Sequence, residues 1–172
     1  MKKIIYSFFS VIIITGCTPL KDEIDVAKEE EAIIAVIEEE TDAFRNRDFD
    51  RLAATLVQDK TNTRLAANKS GYSYYAGWGQ ISSRYKEYFQ DNPEPMPGKH
   101  VKTNYQIKVY EESAWSLFDE LVYGAEGEVT GKNVIVRFLE KVEGEWKIVY
   151  LSYVSTSSYE DEEDDGDEDE DK

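Results

Sequence analysis

This chain has almost no cysteine or histidine with which to bind a structural zinc ion. Its 172 residues include one cysteine, Cys17, and one histidine, His100. A structural zinc site takes about four Cys or His ligands, so none can form within one chain. A single cysteine also rules out an intramolecular disulfide. No stretch of the sequence calls for a cofactor. Basic residues are in the minority as well. Twenty Lys and Arg face 36 Asp and Glu, a formal charge of −16. Binding to phosphate backbones needs a basic surface, so nucleic acid is excluded as a partner. Long apolar runs are missing apart from residues 4–14, which are too few to span a bilayer as a helix.

The negative charge is local. Residues 160–171 hold eleven acids, interrupted only by Gly166. Without them, 25 acids face 20 bases, and the remainder is only mildly acidic. So dense a run of like charge cannot bury enough apolar surface to fold, and residues 158–172 read as a disordered tail. They do not have the ligand spacing of an EF-hand loop.

What the chain does have is strand signal. Residues 133–155 read as two arms of β-branched and aromatic residues joined at Glu143-Gly144, with the glycine suited to positive φ. If pairing runs outward in step from Val142 opposite Glu145, Ile148 lies beside Leu139, Tyr150 beside Arg137 and Ser152 beside Ile135. The other face then carries Val149 with Phe138, Leu151 with Val136 and Tyr153 with Val134. A slip of one residue would exchange the two faces. Upstream, Val101, Thr103, Tyr105, Ile107 and Val109 alternate with polar residues, and residues 114–123 form a further strand.

The first half of the chain has helical period. Ile33, Val36, Ile37 and Phe44 recur at helical spacing over residues 30–47, with Glu38, Glu39 and Glu40 assigned mostly to the outer side. Asp48 is a fitting N-cap for a short second helix to about residue 57. Residues 64–67 and 72–75 suit a small hairpin. Ile81, Tyr85 and Phe89 share one face of a third helix after Gly77-Trp78-Gly79, and the proline-rich residues 92–98 form a loop. The expected class is therefore α+β: three N-terminal helices, then a four-stranded antiparallel meander, with the helices packed on one face of the sheet.

At the start, Lys2 and Lys3 precede the apolar run, which ends Ile14-Thr15-Gly16-Cys17. This resembles the lipobox of bacterial lipoproteins, with residues 1–16 as signal peptide. The resemblance implies a lipid on Cys17, residues 17–29 as tether, and a place in the bacterial cell envelope, at the outer membrane or cell surface. An ordinary signal peptide with a free Cys17 is the alternative. Lys21-Asp22-Glu23 resembles a surface-export signal, although solvated linker charge reads better.

A second resemblance covers residues 30–157. The helix with apolar period, then Arg47-Asp48-Phe49-Asp50-Arg51-Leu52-Ala53-Ala54, then Gly77-Trp78-Gly79-Gln80-Ile81, then Gly144-Glu145-Trp146-Lys147-Ile148-Val149 resemble nuclear transport factor 2-like domains of the SnoaL-like and ketosteroid-isomerase-like branches. This implies a cystatin-like cone with an inner pocket, and dimerisation through the outer sheet face. Many such domains carry histidines near the end of the last strand. The matching positions here are Tyr150 and Ser152, so a histidine mechanism does not carry over.

Arg137 is the leading site residue. On the concave face it would favour a carboxylate or other anion through bidentate bonds; the alternatives are a place on the outer sheet face, or pairing with Glu120 or Asp119. Trp78, Tyr85, Trp115 and Tyr150 are candidate pocket aromatics, each otherwise core. One of Asp119 and Glu120 must point inward; buried, it would have a raised pKa and could serve as a base, and at the strand end it would instead be a solvated carboxylate, the reading that fits better. His100 reads as exposed. No catalytic set transfers residue by residue. The function expected is a membrane-anchored domain that binds a small amphipathic or anionic ligand, or a protein partner, without catalysis. The alternatives are an isomerase- or lyase-like enzyme using a carboxylate and tyrosines, and a structural lipoprotein with a filled cone.

Overall fold

A computed structural model describes residues 24–155. The expected signal peptide, the expected lipid site Cys17 and the acidic residues 158–172 lie outside these residues. Two capped helices open the domain. Asp25 accepts from the Lys28 amide to start α1 (Val26–Arg45), and Asp48 accepts from the Arg51 amide to start α2 (Phe49–Ala54). A hairpin follows, β1 (Thr63–Asn68) and β2 (Gly71–Ala76). Then come α3 (Trp78–Asp91) and four long strands: β3 (Lys99–Val109), β4 (Ser113–Tyr123), β5 (Val129–Val142) and β6 (Glu145–Ser155).

The six strands form one sheet in the order β2-β1-β6-β5-β4-β3. All neighbours are antiparallel except β1 and β6, which run parallel. The expected four-stranded meander is thus extended by the early hairpin, which joins the last strand. Helices cover one face. Ile33 and Ile37 from α1, Leu52 from α2, and Ile81, Tyr85 and Phe89 from α3 are buried against Ala114, Phe118, Ile135, Leu139, Ile148 and Leu151. These are the inward positions of a period-2 pattern meeting the stripes of amphipathic helices.

Two expectations need correction. Residues 26–29 belong to α1, not to a tether. The first turn is held because Glu29 accepts from Lys141 Nζ and from Trp146 Nε1, both at 2.7 Å, linking it to the β5–β6 hairpin. The hairpin register is also different beyond its first turns. Glu143 and Gly144 do form the tight turn, with φ of 54° and 84°. Pairing runs in step from Val142↔Glu145 to Leu139↔Ile148, then slips, so that Phe138 faces Tyr150 and Arg137 faces Leu151. An extra residue at Val149 makes a β-bulge, which bends the strand and re-aims everything beyond it. A second irregularity between Thr103 and Gln106, with Asn104 at φ 56°, bends β3.

Candidate functional site

The inner face of the sheet and the helices enclose a cavity of about 380 Å³. α1 supplies Phe44 and α3 supplies Ile81, Arg84, Tyr85 and Tyr88; Arg64 and Ala66 come from β1, Ser73 and Tyr75 from β2, and Tyr153 from β6. Each follows from local geometry. Arg64 and Ala66 alternate with Leu65 and Ala67 along β1, so both point to one side. Ile81, Tyr85 and Tyr88 sit three and four residues apart on α3. Among the described residues no carboxylate lines the space. A volume in this range suits a small molecule, and an apolar wall with a few polar groups is the usual make-up of a ligand pocket.

The polar end is built on Arg64. Its Nη1 donates to the Tyr85 hydroxyl, and its guanidinium lies 4.9 Å from the Tyr85 ring centre and 5.8 Å from that of Phe44. Burial works against the Arg64 charge, but Tyr85, Glu40 and Tyr153 outweigh it and hold its pKa above the usual guanidinium value. Burial pushes the Tyr85 phenol up, opposed by the charge of Arg64, so the group keeps its proton. A phenol that accepts from arginine still has its own O–H to donate.

Arg137 points inward. It is 4% exposed, and its Nη2 donates to Glu40 Oε2 at 3.1 Å. Its guanidinium stands 5.8 Å from the Phe118 ring centre. It lies behind the cavity, outside the set of lining residues. Of the other residues singled out from the sequence, only Tyr85 lines the cavity. Trp78 is half-buried, its ring 6.2 Å from that of Phe49. Tyr150, Ser152 and Trp115 are on the opposite, convex face. Tyr150 packs edge-on against Phe138 at 5.6 Å, and Trp115 pairs across the sheet with the same Phe138. The bulge at Val149 is the cause for Tyr150 and Ser152.

Glu120, not Asp119, is the inward carboxylate of β4. His100 Nδ1 lies 3.1 Å from its Oε1, and Asn133 donates to its Oε2. Burial alone would raise its pKa; His100, Asn133 and Lys102 outweigh that and hold it below the ordinary carboxylate value. It is therefore not the raised-pKa base that burial alone predicts, and His100 is largely covered rather than exposed. Sequence reading missed Glu40 and Arg64. Glu40 was recoverable: it lies seven residues after Ile33 and three after Ile37, on the apolar stripe of α1. Arg64 was not, because its orientation depends on parallel pairing with a strand almost ninety residues away.

No family model matches this chain, and no curated protein matches it. Solved structures do. A protein of unknown function with a cystatin-like fold from Nostoc punctiforme superposes with a TM-score of 0.61 at 14% identity, over 77% of this chain and 94% of that one. The chain has the cystatin-like fold of nuclear transport factor 2-like proteins. A nuclear transport factor 2-like protein of unknown function from Pseudomonas putida matches with a TM-score of 0.61 at 15% identity, over 74% and 87% of the two chains. A proposed dehydratase of that family from Streptomyces avermitilis matches with a TM-score of 0.61 at 11% identity, over 74% and 96%. At these identities the likeness establishes the nuclear transport factor 2-like fold alone. Among the described residues no helix is long and apolar enough to cross a membrane, and no cluster of side chains is arranged for a metal ion.

Proposed function

We propose that this is a lipid-anchored binding protein, held to the bacterial envelope through Cys17, whose cone takes a small amphipathic anionic molecule without transforming it. One observation carries the reading. The cavity walls combine aromatic rings with Arg64 and with Arg84, which is paired with Glu87, and among the described residues no carboxylate lines them. Guanidinium and phenol groups in a partly dry space favour an anionic head, and the rings favour an apolar body. The buried carboxylate Glu40 is bonded to Arg137, which counts against the isomerase- or lyase-like alternative. The open volume counts against a filled structural cone.

The test is fluorescence titration of the purified chain with anilinonaphthalene sulfonate, an amphipathic monoanion. Saturable binding to the parent chain, lost in Ala66→Trp while its melting temperature holds, supports the reading. Equal binding to both proteins removes it. Palmitate labelling that depends on Cys17 tests the anchor; labelling unchanged in Cys17→Ser rules it out.

A further inference from the structure

The shape of the cavity is set by two small residues lying side by side. The inward positions of β1 and β2 form successive rungs of the ladder: Arg64 pairs with Tyr75, and Ala66 pairs with Ser73. The first rung is bulky. The second carries only a methyl and a hydroxymethyl group, so the sheet is nearly bare there, with Tyr153 of β6 beside Ala66 as its border. The next rung, Asn68 with Gly71, is exposed, so the floor opens toward the hairpin turn and Arg64 stands at its inner end. Across from this floor the helices present rings. Phe44 and Tyr88 are stacked at 5.6 Å with 4° between their planes, and Tyr85 meets Phe44 edge-on at 5.9 Å. The space is a slot with a flat floor and an aromatic roof. Of its two guanidinium groups, that of Arg84 is half-exposed and engaged by Glu87, whereas Arg64 donates to the neutral Tyr85 hydroxyl.

We propose that the ligand of the cavity is a planar aryl carboxylate of one or two fused rings, its rings laid between the Ala66 and Ser73 floor and the Phe44 and Tyr88 stack, its carboxylate against Arg64. This rests on the binding function proposed above and adds the flat aromatic body. Rings over the second rung place an attached head group against the first, about 7 Å further along the strand. Rings that face rings gain energy beyond the area they bury, which a puckered aliphatic body does not. The cavity volume of about 380 Å³ lies near the lower end of the roughly 300–1,000 Å³ found for small-molecule sites, which limits the ring count.

Calorimetric titration of the full chain with naphthoate, decalin carboxylate and naphthamide tests the class. Decalin carboxylate has the same head on a saturated, puckered body of larger apolar surface, so area alone favours it. The slot is expected to reverse that order, with naphthoate binding on the order of tenfold tighter. Ser73→Leu raises the floor on an edge strand, and is expected to weaken naphthoate by a similar factor while the melting temperature holds. Should that variant not fold, Ser73→Thr serves instead, with a smaller loss in the same direction. Decalin carboxylate binding as tightly as naphthoate overturns the flat body and leaves the anionic reading standing. Naphthoate binding unchanged in the floor variant overturns the placement of the rings. Naphthamide binding as tightly as naphthoate overturns the seat on Arg64, and the anionic reading with it. Failure of all three compounds where anilinonaphthalene sulfonate binds overturns the aryl carboxylate; failure of all four removes the cavity reading itself.

Discussion

At the scale of single residues, the buried pair of Arg137 and Glu40 separates structure from function. Their side chains are 5% and 6% exposed. Taking two charges out of water is expensive, and removing one partner leaves the other buried and uncompensated. Arg137→Met is therefore expected to destabilise the domain by about 3–5 kcal/mol, read from urea unfolding. A cost under about 1 kcal/mol would mean that Glu40 finds water or Arg64 instead. Arg137 also shows how far side-chain direction was legible. Its inward orientation was one of two that strand alternation left open, and the register near the turn was expected from Glu143-Gly144. Its supposed neighbours Tyr150 and Ser152 were misassigned because a bulge leaves no mark in a run of β-branched and aromatic residues. Ile148-Val149-Tyr150-Leu151 reads equally well with or without an extra residue, and the choice is made by how the sheet must curve around the helices.

At the scale of elements, the helices and long strands were readable from period, and the joints between them were not. The first turn of α1 is the clearest case. Residues 26–29 look like linker because they show no strong apolar period, yet Glu29 is fixed by Lys141 and Trp146 from the far hairpin. The hydrogen bonds from Lys141 and Trp146 hold the Glu29 carboxyl below its ordinary pKa, and Glu120 is likewise low. A carboxyl with a depressed folded pKa stabilises the fold at pH above its unfolded value; this contribution fades as pH falls through the lowered folded value. Wild-type stability should therefore drop on acidification below about pH 4.5. In Glu29→Gln the drop should be shallower, and stability at neutral pH lower by about 1–2 kcal/mol. Chemical denaturation across a pH series checks both, and parallel curves for the two proteins would count against the clasp. Gly98, where the proline loop enters β3, makes a second prediction. Its φ is 77°, and a Cβ there would run into the Tyr123 carbonyl. Arg45 donates to the carbonyls of both Met96 and Gly98, so the loop cannot easily move aside. Gly98→Ala is expected to cost more than the roughly 1 kcal/mol of backbone strain alone, because the ends of β3 and β4 must part.

At the scale of the whole molecule, the sheet has apolar side chains on both faces and, among the described residues, helices cover only one. Phe138 is 46% exposed on the convex side, with Val134 and Val154 also open and Trp115 and Tyr150 half-buried around them. Isolated exposed apolar residues are ordinary, but a contiguous aromatic patch on the middle strands of a sheet is the mark of an interface. The bulge at Val149 contributes to this surface, since it turns Tyr150 outward to meet Phe138. A second copy of the chain, packing convex face to convex face, would bury the patch under a two-fold operator, in which each Phe138 meets the same surface of its partner. The expected outcome is a concentration-dependent dimer in sedimentation velocity, dissociated by Phe138→Lys because that substitution places two charges in the contact. The cavity lies on the opposite side of the sheet. Binding of anilinonaphthalene sulfonate should therefore survive in the Phe138→Lys monomer with little change in affinity. A parent chain that sediments as a monomer at all concentrations would refute the interface, and loss of probe binding in the variant would show that the two faces are coupled through the strands they share.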